Sequence, residues 1–211
     1  MPQQNKYSAK PGITGAMMSV LLTVSFFLPR IWQNNSTAQS LNTVIIVVIL
    51  CLAVKLVNDT AELYGEHLWS NRIFPLLMAV PVFNLIITAI QFVVPDADFM
   101  LHPVFLSLIV IASLPAFCCY YFTAMWLHFK RDKRLVITSA IVDAAGLCYI
   151  LIRLADRVII PALSLQGNNI SEMVDKLVSL SPWFSLIIYI LSFANFIICA
   201  KLFSETEAVT E

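Results

Sequence analysis

Six long apolar runs separated by short polar connectors organise this chain: residues 12–31, 41–60, 73–94, 104–127, 135–157 and 182–203. Each reaches or approaches the ~20 residues that an α-helix needs to cross the hydrocarbon core of a bilayer. None alternates apolar and polar residues as a barrel strand does. Backbone in lipid must bond to itself, so the runs are expected to be helices. The predicted fold class is all-α integral membrane, a bundle of six transmembrane helices. Residues 1–11 form an N-terminal tail, 12–203 the transmembrane domain and 204–211 an acidic tail.

The longest connector lies between the fifth and sixth runs. There Ile170, Met173, Val174, Leu177 and Val178 recur at helical spacing, with Asn169 and Glu172 placed as a capping pair. A short amphipathic helix is predicted, lying on the membrane surface or covering the mouth of the bundle. Pro81 and Pro115, both mid-run, predict bends in the third and fourth helices. No internal repeat is visible, so the inverted-repeat design of many transporters has no signature here.

Charge sets the expected orientation. The connector His128–Arg134 holds Lys130, Arg131, Lys133 and Arg134, which assigns it to the cytoplasm. Counting spans outward places Lys6, Lys10, Arg72 and Lys201 on the same side, and both termini inside. The connector with Asp96 and Asp98 falls outside. Arg30, Arg153, Arg157 and Lys176 break the rule by facing outward. Lys6 and Lys10 ahead of an apolar run suggest a signal peptide. The run is too long for one, and Arg30 separates it from Ser36-Thr37-Ala38, so an uncleaved first helix is expected. Trp32, Trp69, Tyr120, Tyr121, Trp126 and Trp183 fall near the expected interfaces, where aromatic belts form.

Composition narrows the class further. The chain has 211 residues, 59% hydrophobic and 12% charged, which excludes an ordinary soluble domain. Spans and connectors use up nearly all of it, so any activity lies in the membrane or in a partner. Zero net charge gives no electrostatic case for nucleic acid. Cys51, Cys118, Cys119, Cys148 and Cys199 all fall inside apolar runs, where packing rather than disulfide or zinc chemistry is expected. A plasma or inner membrane is the expected location, with an organellar one also compatible.

Asp143 is the charge that stands out. Leu135 to Val142 and Ala144 to Ile152 flank it without another charge. A carboxylate at such depth costs roughly 2.5–3.5 kcal/mol or more on insertion scales, so it needs a partner, a proton or water. Ser139, Asp143, Gly146, Ile150, Arg153 and Arg157 share one helical stripe, at steps of four and three. Asp143 is nine residues from Arg134, so it sits ~13 Å above the cytoplasmic end. Similar depth places Asn195 and Cys119 near it, with Asn84 somewhat higher. Four helices are thus expected to build one polar layer, with Lys55 reaching Asp143 as counter-ion. That layer either binds a ligand, ion or proton or simply fixes helix packing. Lys55 and the acidic cluster Asp59, Glu62 and Glu66 equally suit an interfacial lysine and a solvated helical extension.

Other candidates are weaker. Asp96, Asp98 and His102 match no metal motif and read as a solvated loop. Asn34, Asn35 and Asn169 begin N-x-[ST] triplets. His67, His102 and His128 lie at or beyond span ends, so haem has no ligands, and no lysine sits mid-way in the last span for retinal. No cofactor or metal is expected. Beyond the lipid bilayer, other membrane subunits or a cytoplasmic partner at the 128–134 loop are candidate partners. Three functions remain open: binding or moving a small solute, ion or proton; a sensor or accessory subunit of a larger complex; and an intramembrane enzyme.

Overall fold

A computed structural model of the protein describes residues 9–32, 36–63, 70–94, 102–128, 133–163 and 169–208. These form α1 (Lys10–Ile31), α2 (Ser36–Leu63), α3 (Ser70–Val93), α4 (Pro103–Ile111), α5 (Leu114–His128), α6 (Lys133–Leu154), α7 (Ile160–Ala162) and α8 (Asn169–Ala208). A π-helical turn, Ala155–Ile159, joins α6 to α7. No strand occurs among the described residues. Five helices are long and apolar enough to cross a membrane. The pair α4–α5, bent by 52° at its break, passes the same test as a unit and would be a sixth if it crosses as one span.

The helices close a ring. α1 packs on α2, α2 on α3, α3 on α5, α5 on α6, α6 on α8, and α8 returns to α1. Its centre holds Phe117, Tyr121, Phe122 and Phe196, all fully buried. Their rings pack with centroids 4.8–6.3 Å apart, at separations and tilts favourable to aromatic quadrupoles. Tyr121 is also tied to α2, its phenol 2.9 Å from the Thr60 hydroxyl. The outer wall carries Ile13, Met17, Val20 and Val24 on α1, and Ile187, Ile190 and Ile197 on α8, all exposed. Inside, by contrast, lie Ser19, Ser139, Ser181, Ser192 and Asn195. Greasy side chains outside and polar ones within suit a hydrocarbon solvent.

Small residues set the tightest seams. A Cβ added to Gly15 would lie 2.1 Å from the Phe196 ring, and one on Gly12 would lie 2.6 Å from the Ala200 backbone. These two glycines therefore let α1 approach α8 more closely than any larger side chain would allow. The same device joins α5 to α6, where a Cβ on Gly146 would meet Cys119 Sγ at 1.9 Å.

One sequence expectation changes. The 170–178 stretch is helical but not a separate amphipathic helix: it forms the first turns of α8, which runs unbroken through Pro182 for 40 residues. That is ~60 Å of helix, twice the ~30 Å core. The helix also runs past residue 203 to Ala208, so the expected 204–211 tail begins as helix. Of the two mid-run prolines, Pro81 sits inside an uninterrupted α3, whereas Pro115 marks the break between α4 and α5.

Candidate functional site

Pro115 has no N–H to give the Ile111 carbonyl one helical turn back, so the fourth run opens there. The freed carbonyls cannot turn to water inside a bilayer and must be met by protein. Tyr120 OH donates to the Ile111 carbonyl at 3.1 Å. Asn84, reaching across from α3, donates through Nδ2 to the Ala112 carbonyl and to the Val80 carbonyl of its own helix (3.0 Å). Asn84 therefore holds the helix break and is not part of a layer with Asp143. Ser113, in the break itself, has a buried hydroxyl without a hydrogen-bond partner.

The break opens onto a cavity of about 330 Å³. Its wall is drawn from α1 (Ser25, Phe26, Arg30), α3 (Asn84), α6 (Tyr149, Arg153) and α8 (Ser185, Tyr189), with Ser113, Leu114 and Pro115 at the break. Pockets of this size, mostly apolar with a few convergent polar groups, are where small molecules bind. Arg30 lies flat over the Phe26 ring, 3.7 Å from its centroid, and donates to the Phe26 carbonyl. The Ser25 hydroxyl donates to Asn42 Oδ1 at 2.8 Å, fixing α1 against α2 beside it. Arg153 faces Tyr149 at 5.9 Å and lies 3.8 Å from Asp156, a carboxylate that Arg157 shares at 3.4 Å. The π turn follows directly after Arg153 and Leu154; such widened turns recur at functional sites.

Comparison with protein-family models, curated proteins and solved structures finds no match. The reading of the site rests on its own chemistry.

The layer expected around Asp143 divides in two. On one side of α6, Asn195 of α8 donates to Ser139 Oγ at 3.5 Å, and its carbonyl oxygen accepts from Thr138. On the other side, Asp143 lies against α5, beside Thr123 and near Cys119. The Cys119 thiol bridges the Pro115 and Val142 carbonyls at 3.1 and 3.3 Å. One Asp143 oxygen, Oδ1, is buried without a partner.

The expected Lys55–Asp143 ion pair does not form. Lys55 is exposed on α2, which packs on α1 and α3, whereas α6 packs on α5 and α8. Asp59 is half-buried with Oδ2 unpartnered. The Glu62 side chain, Glu66, Asp96, Asp98, Lys130 and Arg131 lie outside the described residues, while Lys133 and Arg134 are exposed at the start of α6.

The cavity was not foreseen, although two signals for it are in the sequence. One is the pair Arg30 and Arg153, set aside as exceptions to the charge rule. The other is the start of a buried polar stripe on α8, Ser181 and Ser185 at a step of four, of which Ser185 lines the cavity.

Proposed function

We propose that this multi-pass membrane protein binds a small solute in the cavity at the Arg30–Arg153 end of its helix ring. The observation that carries this reading is the cavity itself, whose wall joins segments from nearly the whole chain around a broken helix. On the charge-based topology, that end faces outward and α4–α5 crosses as one broken span. Half-helices with cavity-facing breaks are a recurrent way to bind solutes inside membranes.

Transport is the stronger form of the proposal. Asp143 lies on α6 ten residues from Arg153, ~15 Å further toward the other end. A solute or proton moving on from the cavity would pass polar groups at intermediate and similar depth, the buried Ser192 hydroxyl and Asp143 among them. Asp143→Asn separates the two forms: binding with lost flux supports transport, and unchanged flux removes Asp143 from the path.

Thiol accessibility tests the cavity. With Cys51 and Cys148 replaced by Ser, Ser113→Cys and Ser185→Cys should react with a membrane-impermeant thiol reagent applied from outside. Ile187→Cys on the lipid face should not. If neither cavity position is modified from either side, water does not reach the cavity and the solute reading fails.

A second reading, a rigid accessory subunit, draws on the glycine seams. α1–α8 and α5–α6 approach so closely at Gly12, Gly15 and Gly146 that no larger side chain fits between them. Purification with a partner through the Lys133–Arg134 end, and no solute binding alone, would favour it.

A further inference from the structure

The two arginines of the cavity restrict what it can hold. Arg30 and Arg153 come from helices that are distant in sequence, yet both line the same space. No carboxylate pairs with Arg30 among the described residues, and its contacts are a carbonyl and an aromatic face. Among the described residues the carboxylate beside Arg153 is Asp156, at 3.8 Å and shared with Arg157. Two guanidinium groups thus line a space whose wall holds no carboxylate. Like charges lining one space repel, and an anion between them relieves that repulsion. Each guanidinium also carries more N–H donors than these contacts use.

The rest of the wall agrees. The N-terminal end of α5 borders the cavity at Leu114 and Pro115, so the positive end of its dipole lies there. The unpartnered Ser113 hydroxyl is at the same break. Phe26, Leu22, Ile109 and Pro182 supply an apolar remainder.

We infer that the ligand is a small oxyanion-bearing molecule, with a carboxylate or phosphate held by Arg30 and Arg153 and an apolar body against Phe26. This rests on the solute reading above and names the chemistry of its ligand. Paired planar forks suit such oxyanions, which they can engage through two bonds at once.

Three probes test it on the full-length protein in phosphatidylcholine nanodiscs at constant ionic strength: inorganic phosphate, benzoate and phosphatidic acid added to the bilayer. At least one should bind and raise the unfolding temperature. Phosphate or benzoate identifies a water-borne ligand, and phosphatidic acid alone identifies a lipid headgroup. Arg30→Gln and Arg153→Gln should each weaken binding about tenfold or more, as expected for loss of a charge-assisted bond. Arg157→Gln, exposed and outside the wall, should change it less than about twofold. Arg30→Lys and Arg153→Lys keep the charge and lose the fork, so they should also weaken binding; they serve if a Gln variant does not fold. Binding of none of the probes, or equal binding by the wild type and the Arg30→Gln/Arg153→Gln double variant, overturns the inference. A cavity open to the thiol reagent that binds no probe would sink the oxyanion and leave the solute reading standing.

Discussion

Cys119 and Gly146 show how much a single missing methyl group does here. The thiol fills the space where a Gly146 side chain would stand and touches two carbonyls as it does so. Gly146→Ala should therefore destabilise the protein by about 1–3 kcal/mol, the usual cost of overpacking. Adding Cys119→Ala should recover most of that loss, a coupling that a double-mutant cycle in detergent unfolding would measure. Additive losses would show that the two side chains do not compete. Gly12→Ala should cost at least as much, because it meets the Ala200 backbone rather than a side chain that can turn away. At this scale the sequence was partly legible. Spacing puts Ser139, Asp143 and Gly146 on one stripe, but Ser139 meets α8 whereas Asp143 and Gly146 meet α5. The partners were not legible, because depth arithmetic ranks residues along the bilayer normal but says nothing about direction around it. Depth alone assigns both Asn195 and, somewhat higher, Asn84 to the layer, yet one bonds to Ser139 and the other to a helix break.

The broken fourth run is the element on which the cavity depends. Its expected bend came directly from Pro115, since a missing donor is visible in any sequence. That Pro81 leaves α3 helical was not, because neighbouring groups decide whether a proline kinks a helix or is absorbed. Asn84→Leu removes the donor to the Ala112 carbonyl and should destabilise the protein by about 1–3 kcal/mol, the cost of a buried acceptor left unpaired. Asn84→Gln should be milder if the longer amide still reaches. Pro115→Ala restores an N–H able to bond Ile111 and should straighten the break. Reduced thiol modification at Ser113→Cys would report the smaller cavity, and unchanged modification would show that Asn84 and Tyr120 hold the bend without the proline. The amphipathic segment teaches a related lesson. Periodicity at 170–178 identified helix correctly, but periodicity carries no signal for where one helix stops and the next begins. The join at Val178–Pro182 stays continuous, and the Val178 carbonyl that Pro182 has no N–H to meet accepts the Ser181 hydroxyl at 2.8 Å.

At the scale of the whole molecule, an inside-out distribution of polarity was legible from composition alone, and the ring order was not. Apolar side chains face outward on every long helix, so removing the surrounding lipid exposes the largest apolar surface the protein has. The closing contact between α1 and α8 depends on Gly12, Gly15, Phe196 and Ala200, which lie more than 180 residues apart and share no local pattern. A ring closed in this way has a consequence for biosynthesis. Arg30 and Phe26 leave the ribosome more than 150 residues before Ser185 and Tyr189, so the cavity is incomplete until α8 docks. Until then the small-residue groove of α1 stands open to lipid or to whatever insertion factor shelters it, and a product arrested before α8 should be recognised as incomplete and degraded.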